Sequence, residues 1–258
     1  MGAALAGAEI FPLPLRPERE FLPDLDAIPQ EVADRAVMIW LNYPNNPTGA
    51  TADLTFFERA VDYAREHNLL LCHDAPYCDI TYDAYLAPSV LQVPGAAEVA
   101  VEFNSLSKTW NMAGWRVGMA VGNPDALEAL AHVKSNFDSG IFWPVQEAAV
   151  RALATPPGWV KSRNGIYRER LDILIDGLAA AGLAVRRPQA TLYVWVPVPA
   201  PAEGFALDLL MNTGVTVAPG TFFGPAGEGY VRMAITAPAD RIREAMRRLE
   251  RWKATSRR

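Results

Sequence analysis

Residues 36–49 read AVMIWLNYPNNPTG, and this stretch contains the pattern that decides the fold. Its first six residues form a nearly continuous apolar run, which is typical of a strand buried on both faces of a parallel sheet. The segment 44–49 is rich in Pro, Asn and Gly and predicts a loop. Polar side chains therefore follow the end of a buried strand directly, at the edge where parallel sheets bind their ligands.

The same pattern recurs along the first part of the chain. Apolar runs at 69–73 and 99–103 predict two further buried strands, and residues 116–121 predict a fourth. Apolar residues at helical spacing predict a helix over 53–67, and two more helices are predicted over 125–137 and 145–154. Repeated strand–loop–helix units predict an α/β fold whose mostly parallel sheet is covered on both faces.

After Pro156-Pro157-Gly158 the sequence pattern changes. A long helix is predicted first, and short strands then alternate with two further helices. The predicted ranges are 159–181, 206–212 and 239–252 for the helices, and 183–185, 192–196, 215–217 and 230–235 for the strands. This mixture predicts a smaller α+β unit. We therefore expect a large domain over 1–160 and a small C-terminal domain over 161–258.

The composition favours a globular protein that acts on small molecules. The 258 residues carry a formal net charge of −5, from 24 basic and 29 acidic side chains, which favours neither nucleic acid nor an anionic membrane as a partner. Two cysteines, Cys72 and Cys78, are too few for a disulfide framework and favour a reducing, cytoplasmic compartment. The three histidines are scattered, so we expect no metal site.

A lysine follows the third predicted strand, in the segment Ser105-Leu106-Ser107-Lys108, and Arg116 lies eight residues further on. An amine that attacks a carbonyl needs partial desolvation, and a phosphate needs hydroxyl donors and a guanidinium. A lone lysine here would be read as a surface residue. Asn46 and Asp74 also follow apolar runs, however, so the three side chains are expected at one edge of the sheet.

Three motifs occur in a specific order: Tyr43–Gly49, His73–Tyr77, and Ser105–Lys108 with Arg116. Together they resemble the fold-type I, class I/II aminotransferases, which use pyridoxal 5′-phosphate (PLP). The stretches 103–116 and 134–142 look most like the LL-diaminopimelate aminotransferase group and its alanine and aspartate aminotransferase relatives. The resemblance implies transamination between such an L-amino acid and a 2-oxo acid such as 2-oxoglutarate, in a homodimer.

The resemblance also implies a role for individual residues. Lys108 would bind the PLP aldehyde covalently and later carry the proton between Cα of the substrate and C4′ of the cofactor. Asp74 would pair with the pyridine nitrogen and keep it protonated, so that the ring accepts electrons. Asn46 and Tyr77 would donate hydrogen bonds to the ring O3′. All four roles converge on one cofactor ring.

The remaining implied roles concern anionic groups. Ser105, Ser107 and Arg116 would hold the 5′-phosphate, and Arg232 would bind the α-carboxylate of the substrate with two parallel hydrogen bonds. Asn46 would lie beside that carboxylate.

Each residue also has a purely structural interpretation. Asp74 could cap a turn, and Asn46 could serve the turn chemistry of its loop. Tyr82 or Tyr85 could take the place of Tyr77. Arg232, expected in an edge strand, could pair with a structural carboxylate. For Asp74 and for Arg232, each considered alone, the structural interpretation is stronger than the functional one.

Family members are longer at the N-terminus, and residues 2–9 resemble a point well inside the large domain. We therefore expect the chain to be shortened there relative to the family. Two other functions stay open at this point. One is an inactive or PLP-binding-only fragment, and the other is a PLP-dependent β-lyase on the same fold.

Overall fold

The computed structural model describes residues 2–255 and contains two sheets. The strands are β1 Met38–Asn42, β2 Leu70–Asp74, β3 Ala100–Ser105, β4 Gly118–Gly122, β5 Tyr193–Pro197, β6 Ala218–Pro219 and β7 Tyr230–Ala234. The α-helices are α1 Gly2–Leu5, α2 Gln30–Ala33, α3 Leu54–Glu66, α4 Leu106–Thr109, α5 Pro124–Phe137, α6 Trp143–Leu153, α7 Pro157–Ala180, α8 Ala202–Thr213 and α9 Ala239–Thr255. Short 3-10 turns lie at Pro17–Arg19, Val90–Gln92, Ala96–Glu98, Ala113–Trp115, Gly220–Phe223 and Pro225–Gly227.

The first sheet has the order β1-β2-β3-β4. Strands β1, β2 and β3 are parallel, and β4 joins β3 in the antiparallel direction. The predicted α/β fold with a mostly parallel sheet is therefore confirmed. Helix α3 covers one face because its apolar stripe, which includes Phe57 and Val61, is buried against the sheet. Asp53 caps this helix by accepting a hydrogen bond from the Phe56 N–H.

The second sheet has the order β5-β7-β6, and all of its pairs are antiparallel. Its core also includes buried side chains from α7, α8 and α9. The fully buried residues of this core include Leu178, Val194, Val196, Leu209 and Val231. The prediction of a strand-rich unit with flanking helices in this part of the chain agrees with the observed elements. The domain boundary near residue 160 stays a prediction.

Two short strands predicted from sequence were wrong. Residues 183–185 form no strand, because Leu183 N–H bonds back to Leu178 O at the end of α7 and pairing begins only at Ala190, opposite Thr81. Residues 215–217 lie before β6, because the Val215 N–H bonds to the Thr213 hydroxyl in a turn. Local apolarity indicated burial at both places but not sheet pairing.

The two edge strands of the first sheet carry exposed apolar side chains. Trp40 on β1 is 56% exposed and stacks on Phe103, and Val121 on β4 is 46% exposed. Helix α5 buries none of its residues. An apolar groove of about 630 Å³ runs between the N-terminal segment and β1. Within residues 2–255, every helix is too short or too polar to cross a membrane.

Candidate active site

The site begins where β1 and β2 end side by side. Asn42 and Asp74 are register partners, and Asn42 Nδ2 donates to the Asp74 carbonyl at 2.8 Å and to Asp74 Oδ2 at 3.1 Å. The amide oxygen of Asn42 accepts a hydrogen bond from the Asn46 N–H at 2.8 Å. Asn42 therefore fixes the loop that carries Asn46 relative to the Asp74 carboxylate. Asn42 directly follows the apolar run 36–41, but this position alone did not distinguish it as a site residue.

The loop after β1 is held by its own side chains. The buried Asn45 donates to Asn42 O at 3.1 Å and accepts from the Thr48 hydroxyl at 2.6 Å. Gly49 has φ +70°, and a Cβ at this position would lie 2.8 Å from the Pro188 Cβ, so a larger residue would strain the loop. The loop thus holds Asn46 on a rigid backbone. Asn46 is part of the turn and also lies in the candidate site.

Asp74 is half-buried at the end of β2. Burial raises the pKa of its carboxyl, and the neighbouring His73 opposes this effect by lowering it. Within residues 2–255 its carboxylate forms no ion pair, and Asn42 is the side chain that donates to it. A half-buried carboxylate without a cation is the group that a protonated ring nitrogen would satisfy.

Tyr77 follows Asp74 by three residues and is buried, with its hydroxyl 3.3 Å from the Tyr193 hydroxyl. Burial raises the pKa of the Tyr77 hydroxyl far above its usual value, and the hydrogen bond with Tyr193 raises it further. The charges of Asp74 and Arg232 also act on this hydroxyl. Tyr77 is therefore the common neighbour of the acidic and the basic groups of the site.

The two tyrosines that compete with Tyr77 in the sequence have other partners. The Tyr82 hydroxyl donates to Thr191 O at 2.6 Å, and the Tyr85 hydroxyl donates to Ala52 O at 3.2 Å. Both hydrogen bonds hold a tyrosine side chain to a backbone carbonyl distant in sequence. Of the three hydroxyls, that of Tyr77 is the one linked to the aromatic and basic groups of β5 and β7.

Lys108 lies on the short helix α4, which follows β3 directly. Its Nζ is 5.6 Å from the centroid of the Tyr77 ring, and within residues 2–255 it has no acidic partner. Ser105 caps the helix by accepting a hydrogen bond from the Ser107 N–H at 3.1 Å. The amine is therefore half-buried against an aromatic face and unpaired, as a nucleophilic lysine requires.

Arg163 holds the other end of α4. This buried residue of α7 donates from Nη1 to the carbonyls of Lys108, at 3.0 Å, and Thr109, and from Nη2 to Asp79 O at 2.6 Å. A guanidinium satisfies helix carbonyls that would otherwise lack donors. Arg163 could not be identified from the sequence, because nothing there distinguishes it from the other charged residues of a long helix.

Arg232 lies on β7, which is the central strand of the second sheet. The expectation of an edge strand was therefore wrong, since β5 and β6 pair with β7 on both sides. Arg232 Nη1 donates to Asn46 Oδ1 at 2.7 Å. Its guanidinium carbon lies 4.2 Å from the Tyr193 ring centroid and 4.7 Å from that of Phe223.

This geometry decides two questions that the sequence left open. Arg232 has no carboxylate partner within residues 2–255, so it is not part of a structural ion pair there. Because the Asn46 oxygen accepts from Arg232, the Asn46 NH₂ group is free to donate to another group.

The three residues predicted for phosphate binding are not joined by hydrogen bonds between their side chains. The Ser105 hydroxyl donates to Val117 O at 3.2 Å, and Ser107 is buried. Arg116 is exposed, with φ 56°, and donates to Ala113 O at 3.0 Å. Their joint role as a phosphate site stays a prediction.

The chemistry of the donor set fits PLP at its ring. Asp74 offers an unpaired carboxylate, Lys108 an unpaired amine, and Asn46 and Tyr77 offer hydrogen-bond donors. Arg232 adds a guanidinium, the group that forms bidentate pairs with carboxylates. Within residues 2–255, no group of three or more His, Cys, Asp or Glu side chains is arranged to hold a metal ion.

Comparison with known proteins gives a consistent result. The family model described as "Aminotransferase class I and II" matches residues 1–249. The LL-diaminopimelate aminotransferase of Desulforudis audaxviator is 52% identical over 250 residues, which cover 96% of this chain and 64% of that protein. The corresponding protein of Moorella thermoacetica is 50% identical over 253 residues, which cover 97% of this chain and 65% of that protein.

Solved structures share the fold. The BacF structure from Bacillus subtilis aligns with a TM-score of 0.94 at 36% identity and covers 98% of this chain and 65% of that one. A probable N-succinyldiaminopimelate aminotransferase from Thermus thermophilus aligns with a TM-score of 0.90 at 42% identity, over 96% of this chain and 67% of that one. The chain thus spans just under two thirds of the length of the two curated relatives, in agreement with the expectation that it is shorter than the family.

Proposed function

This chain belongs to the class I and II aminotransferases, and on that premise we propose that it catalyses PLP-dependent transfer of an amino group from an L-amino acid to a 2-oxo acid. The observation that carries the proposal is the set of groups around Tyr77. The Lys108 amine lies 5.6 Å from the centroid of the Tyr77 ring. The carboxylate of Asp74 and the guanidinium of Arg232 both shift the pKa of the Tyr77 hydroxyl. Within residues 2–255, the amine and the carboxylate have no partner of opposite charge. Those are the groups that a cofactor ring and an amino acid carboxylate need.

We propose an amino acid of the LL-diaminopimelate type as donor, with 2-oxoglutarate as acceptor. The support comes from relatives that carry the name LL-diaminopimelate aminotransferase at 50–52% identity. Alanine-like and aspartate-like donors are the alternatives within the same reaction.

When bound, PLP supplies an electron sink for the bonding pair that is left on the substrate Cα. Asp74 would hold the proton on the ring nitrogen, because its carboxylate is half-buried and forms no ion pair within residues 2–255. Tyr77 and Asn46 would donate to the ring oxygen. Lys108 would bind the aldehyde and then move the proton at the substrate Cα, and no acidic side chain among the described residues competes for its amine.

Arg232 would bind the substrate α-carboxylate. Its guanidinium lies against the rings of Tyr193 and Phe223, and this stacking leaves the planar edge of the group free for a bidentate pair. The bond to Asn46 fixes the side chain before substrate binds. A preformed carboxylate site orients the Cα–H bond relative to the cofactor ring.

For the phosphate, we propose Ser105, Ser107 and Arg116. Arg116 is exposed and held by one bond to Ala113 O, so its side chain can turn toward an anion at little cost.

We also propose that the protein forms a homodimer and is located in the cytoplasm. The exposed apolar side chains of β1, β4 and α5 support self-association.

Absorption spectroscopy with added PLP tests the cofactor assignment. The purified chain is expected to develop a violet absorption band, and Lys108→Ala is expected to lose it. Lys134→Ala is the matched control, because Lys134 is exposed on α5 and forms an ion pair with Asp138, away from the site. A wild-type chain without the band, or a band that survives in Lys108→Ala, contradicts the assignment.

A second candidate function is PLP binding without catalysis, and the span of just under two thirds of the relatives' length favours considering it. Incubation of the PLP-loaded chain with LL-diaminopimelate and 2-oxoglutarate separates the two. Formation of glutamate supports transamination. The violet band without glutamate supports binding alone. A separate incubation with an amino acid that carries a leaving group on Cβ tests the β-lyase, for which ammonia, pyruvate and the released group are expected without amino transfer.

A further inference from the structure

We propose that His73 is a buried imidazolium, paired with Glu102, and that it is a positioning residue which keeps the Asp74 carboxylate ionised. The part of this inference that concerns Asp74 rests on the proposed function. The part that concerns the protons of His73 follows from hydrogen-bond geometry and is independent of any cofactor.

His73 is fully buried in the middle of the first sheet. It precedes Asp74 on β2, so the two side chains point to opposite faces of the sheet. The His73 ring lies on the face covered by α3, with its centroid 4.7 Å from that of Phe57. No water-exposed surface surrounds the ring, so its hydrogen bonds decide where its protons are.

The first proton is assigned by a backbone carbonyl. His73 Nε2 lies 2.8 Å from Tyr43 O, at the start of the loop that carries Asn46. A carbonyl oxygen only accepts hydrogen bonds, so Nε2 carries a proton. This bond also ties the loop after β1 to β2.

The second proton is assigned by Glu102. His73 Nδ1 lies 3.0 Å from Glu102 Oε2, and the same oxygen accepts hydrogen bonds from the Ser89 hydroxyl at 2.7 Å and the Val90 N–H at 3.1 Å. The Ser89 oxygen itself accepts from the Leu91 N–H at 3.1 Å, which leaves its own hydrogen for Glu102. Two donors besides His73 stabilise the ionised form of this carboxylate. An ionised carboxylate oxygen only accepts hydrogen bonds, so Nδ1 faces it with a proton.

The electrostatics agree with this assignment. Burial by itself would raise the pKa of Glu102, but the hydrogen bonds from His73 and Ser89 outweigh it and hold the pKa below its ordinary value. Glu102 is the register partner of His73 on β3, so the pair spans two adjacent strands. A buried imidazolium is stable only with such a partner.

The consequence for the site is a fixed positive charge one residue from Asp74. Burial raises the pKa of Asp74, and His73 is the charged group that lowers it. Asn42 is the other side chain that contacts the Asp74 carboxylate, and it is neutral. Without the charge on His73, Asp74 would take up a proton more readily and would no longer be the ionised carboxylate that accepts a hydrogen bond from a protonated ring nitrogen.

Nuclear magnetic resonance of the cofactor-free wild-type chain tests the protonation state directly. With ¹⁵N-labelled histidine at pH 7.5, both ring nitrogens of His73 are expected at the resonance positions of protonated nitrogens. The variant His73→Gln assigns the signals against those of His67 and His132. A signal from an unprotonated His73 nitrogen overturns the proposal, and this outcome needs no folded variant of Glu102.

Substitution of Glu102 tests the effect on Asp74. In Glu102→Gln, His73 is expected to lose its Nδ1 proton, and the titration midpoint of Asp74, followed by ¹³C resonance of its carboxyl carbon, is expected to rise by about one pH unit. Glu128→Gln, which removes an exposed carboxylate on α5, is expected to change neither. An unchanged Asp74 midpoint together with a neutral His73 contradicts the positioning role.

A milder variant covers the case in which Glu102→Gln does not fold. Ser89→Ala removes one of the three donors to Glu102, and a smaller rise of the Asp74 midpoint is expected. An unchanged midpoint in a folded Ser89→Ala chain counts against the proposal. All these measurements use cofactor-free protein, so their failure is distinct from a failure of the absorption test for PLP.

Discussion

The two sheets of this chain differ in how completely their apolar residues are covered. In the second sheet, the central residues Val194 and Val231 are fully buried between helices and neighbouring strands. In the first sheet, Trp40 and Val121 on the two edge strands are about half exposed, and α5 buries none of its residues. Elements of this chain thus cover the apolar residues of the second sheet. In the first sheet they cover the apolar residues around β2 and β3 but leave those of the edge strands partly exposed.

This difference matters because the candidate site uses both sheets. Asn46, Asp74 and Lys108 come from the partly open first sheet, whereas Tyr193 and Arg232 come from the closed second sheet. The buried pair of His73 and Glu102 lies at the centre of the first sheet, which is its best covered part. We expect substitutions in the second sheet to change stability most and substitutions at the open edges to change association more than stability.

The largest effect is expected for Leu209→Ala on α8. Leu209 is fully buried in the core of the second sheet, so its truncation should lower the free energy of unfolding by about 4 kcal/mol. The adjacent Leu210 is 40% exposed, and Leu210→Ala should change stability by less than about 1 kcal/mol. Urea unfolding of both variants measures the difference, and similar losses would mean that this core is not closed as described.

A somewhat smaller effect is expected for Arg163→Met, which breaks the link between α7 and the lysine-bearing turn. The carbonyls of Lys108 and Thr109 would lose the donor that Arg163 supplies, and the Asp79 carbonyl would keep the bond from Asn164 Nδ2. The expected cost is about 3 kcal/mol in free energy of unfolding. Arg168→Met, on the exposed face of the same helix, should change stability by less than about 0.5 kcal/mol.

The PLP absorption band gives a second readout for Arg163→Met. The variant should bind PLP more weakly at concentrations of urea where it is still folded, because the turn that carries Lys108 is no longer fixed. An unchanged affinity for PLP in the folded variant would refute the positioning of Lys108 by this arginine.

Asp74→Asn is expected to stabilise the cofactor-free chain at neutral pH. Because burial raises the pKa of Asp74 in the folded state, the folded chain holds this proton more tightly than the unfolded one. The contribution of Asp74 to stability is therefore present at low pH and is lost as the pH rises from the ordinary value of 3.8 through the folded-state pKa. Removal of the charge should increase the free energy of unfolding by about 1 kcal/mol at pH 7.

The gain from Asp74→Asn should vanish below the ordinary pKa of an aspartate, where the wild-type side chain is also neutral. Unfolding at several pH values measures this trend. Asp208→Asn, on the exposed face of α8, is the control and should show no such pH dependence. A gain that is equal at all pH values would point to packing rather than charge.

The smallest effect on stability is expected at the open surface. Phe137 on α5 is 87% exposed, so Phe137→Ser should change the free energy of unfolding by less than about 0.5 kcal/mol. The variant should nevertheless self-associate less, because an apolar patch is removed. Leu86→Ser removes an isolated exposed side chain and is the control. Light scattering over a concentration series distinguishes the two, and equal behaviour would argue against a role of α5 in association.

Features that depend on local burial could be predicted from the sequence. The apolar runs before Asn46, Asp74 and Lys108 predicted three parallel strands, and each strand lies within one or two residues of its predicted range. The sequence also placed these three side chains at one edge of the sheet, because parallel strands present their carboxyl ends together.

Features that depend on partners far along the chain could not be predicted. The bonds of Arg163 reach carbonyls more than fifty residues away, and the pairing of His73 with Glu102 depends on the register of two strands. The antiparallel direction of β4 and the exposure of Trp40 could not be predicted either. The apolar character of a residue does not show which strand pairs with it or which element covers it.

The contact between Asn46 and Arg232 has a consequence for synthesis of the protein. One partner lies in the loop after the first strand and the other in the last strand, so the carboxylate site that we propose is assembled only when almost the whole chain has been made and folded. A nascent or shortened polypeptide without β7 retains Lys108 and Asp74 but lacks the guanidinium that we propose for the substrate carboxylate. Substrate binding in the proposed manner would therefore require that both sheets have folded.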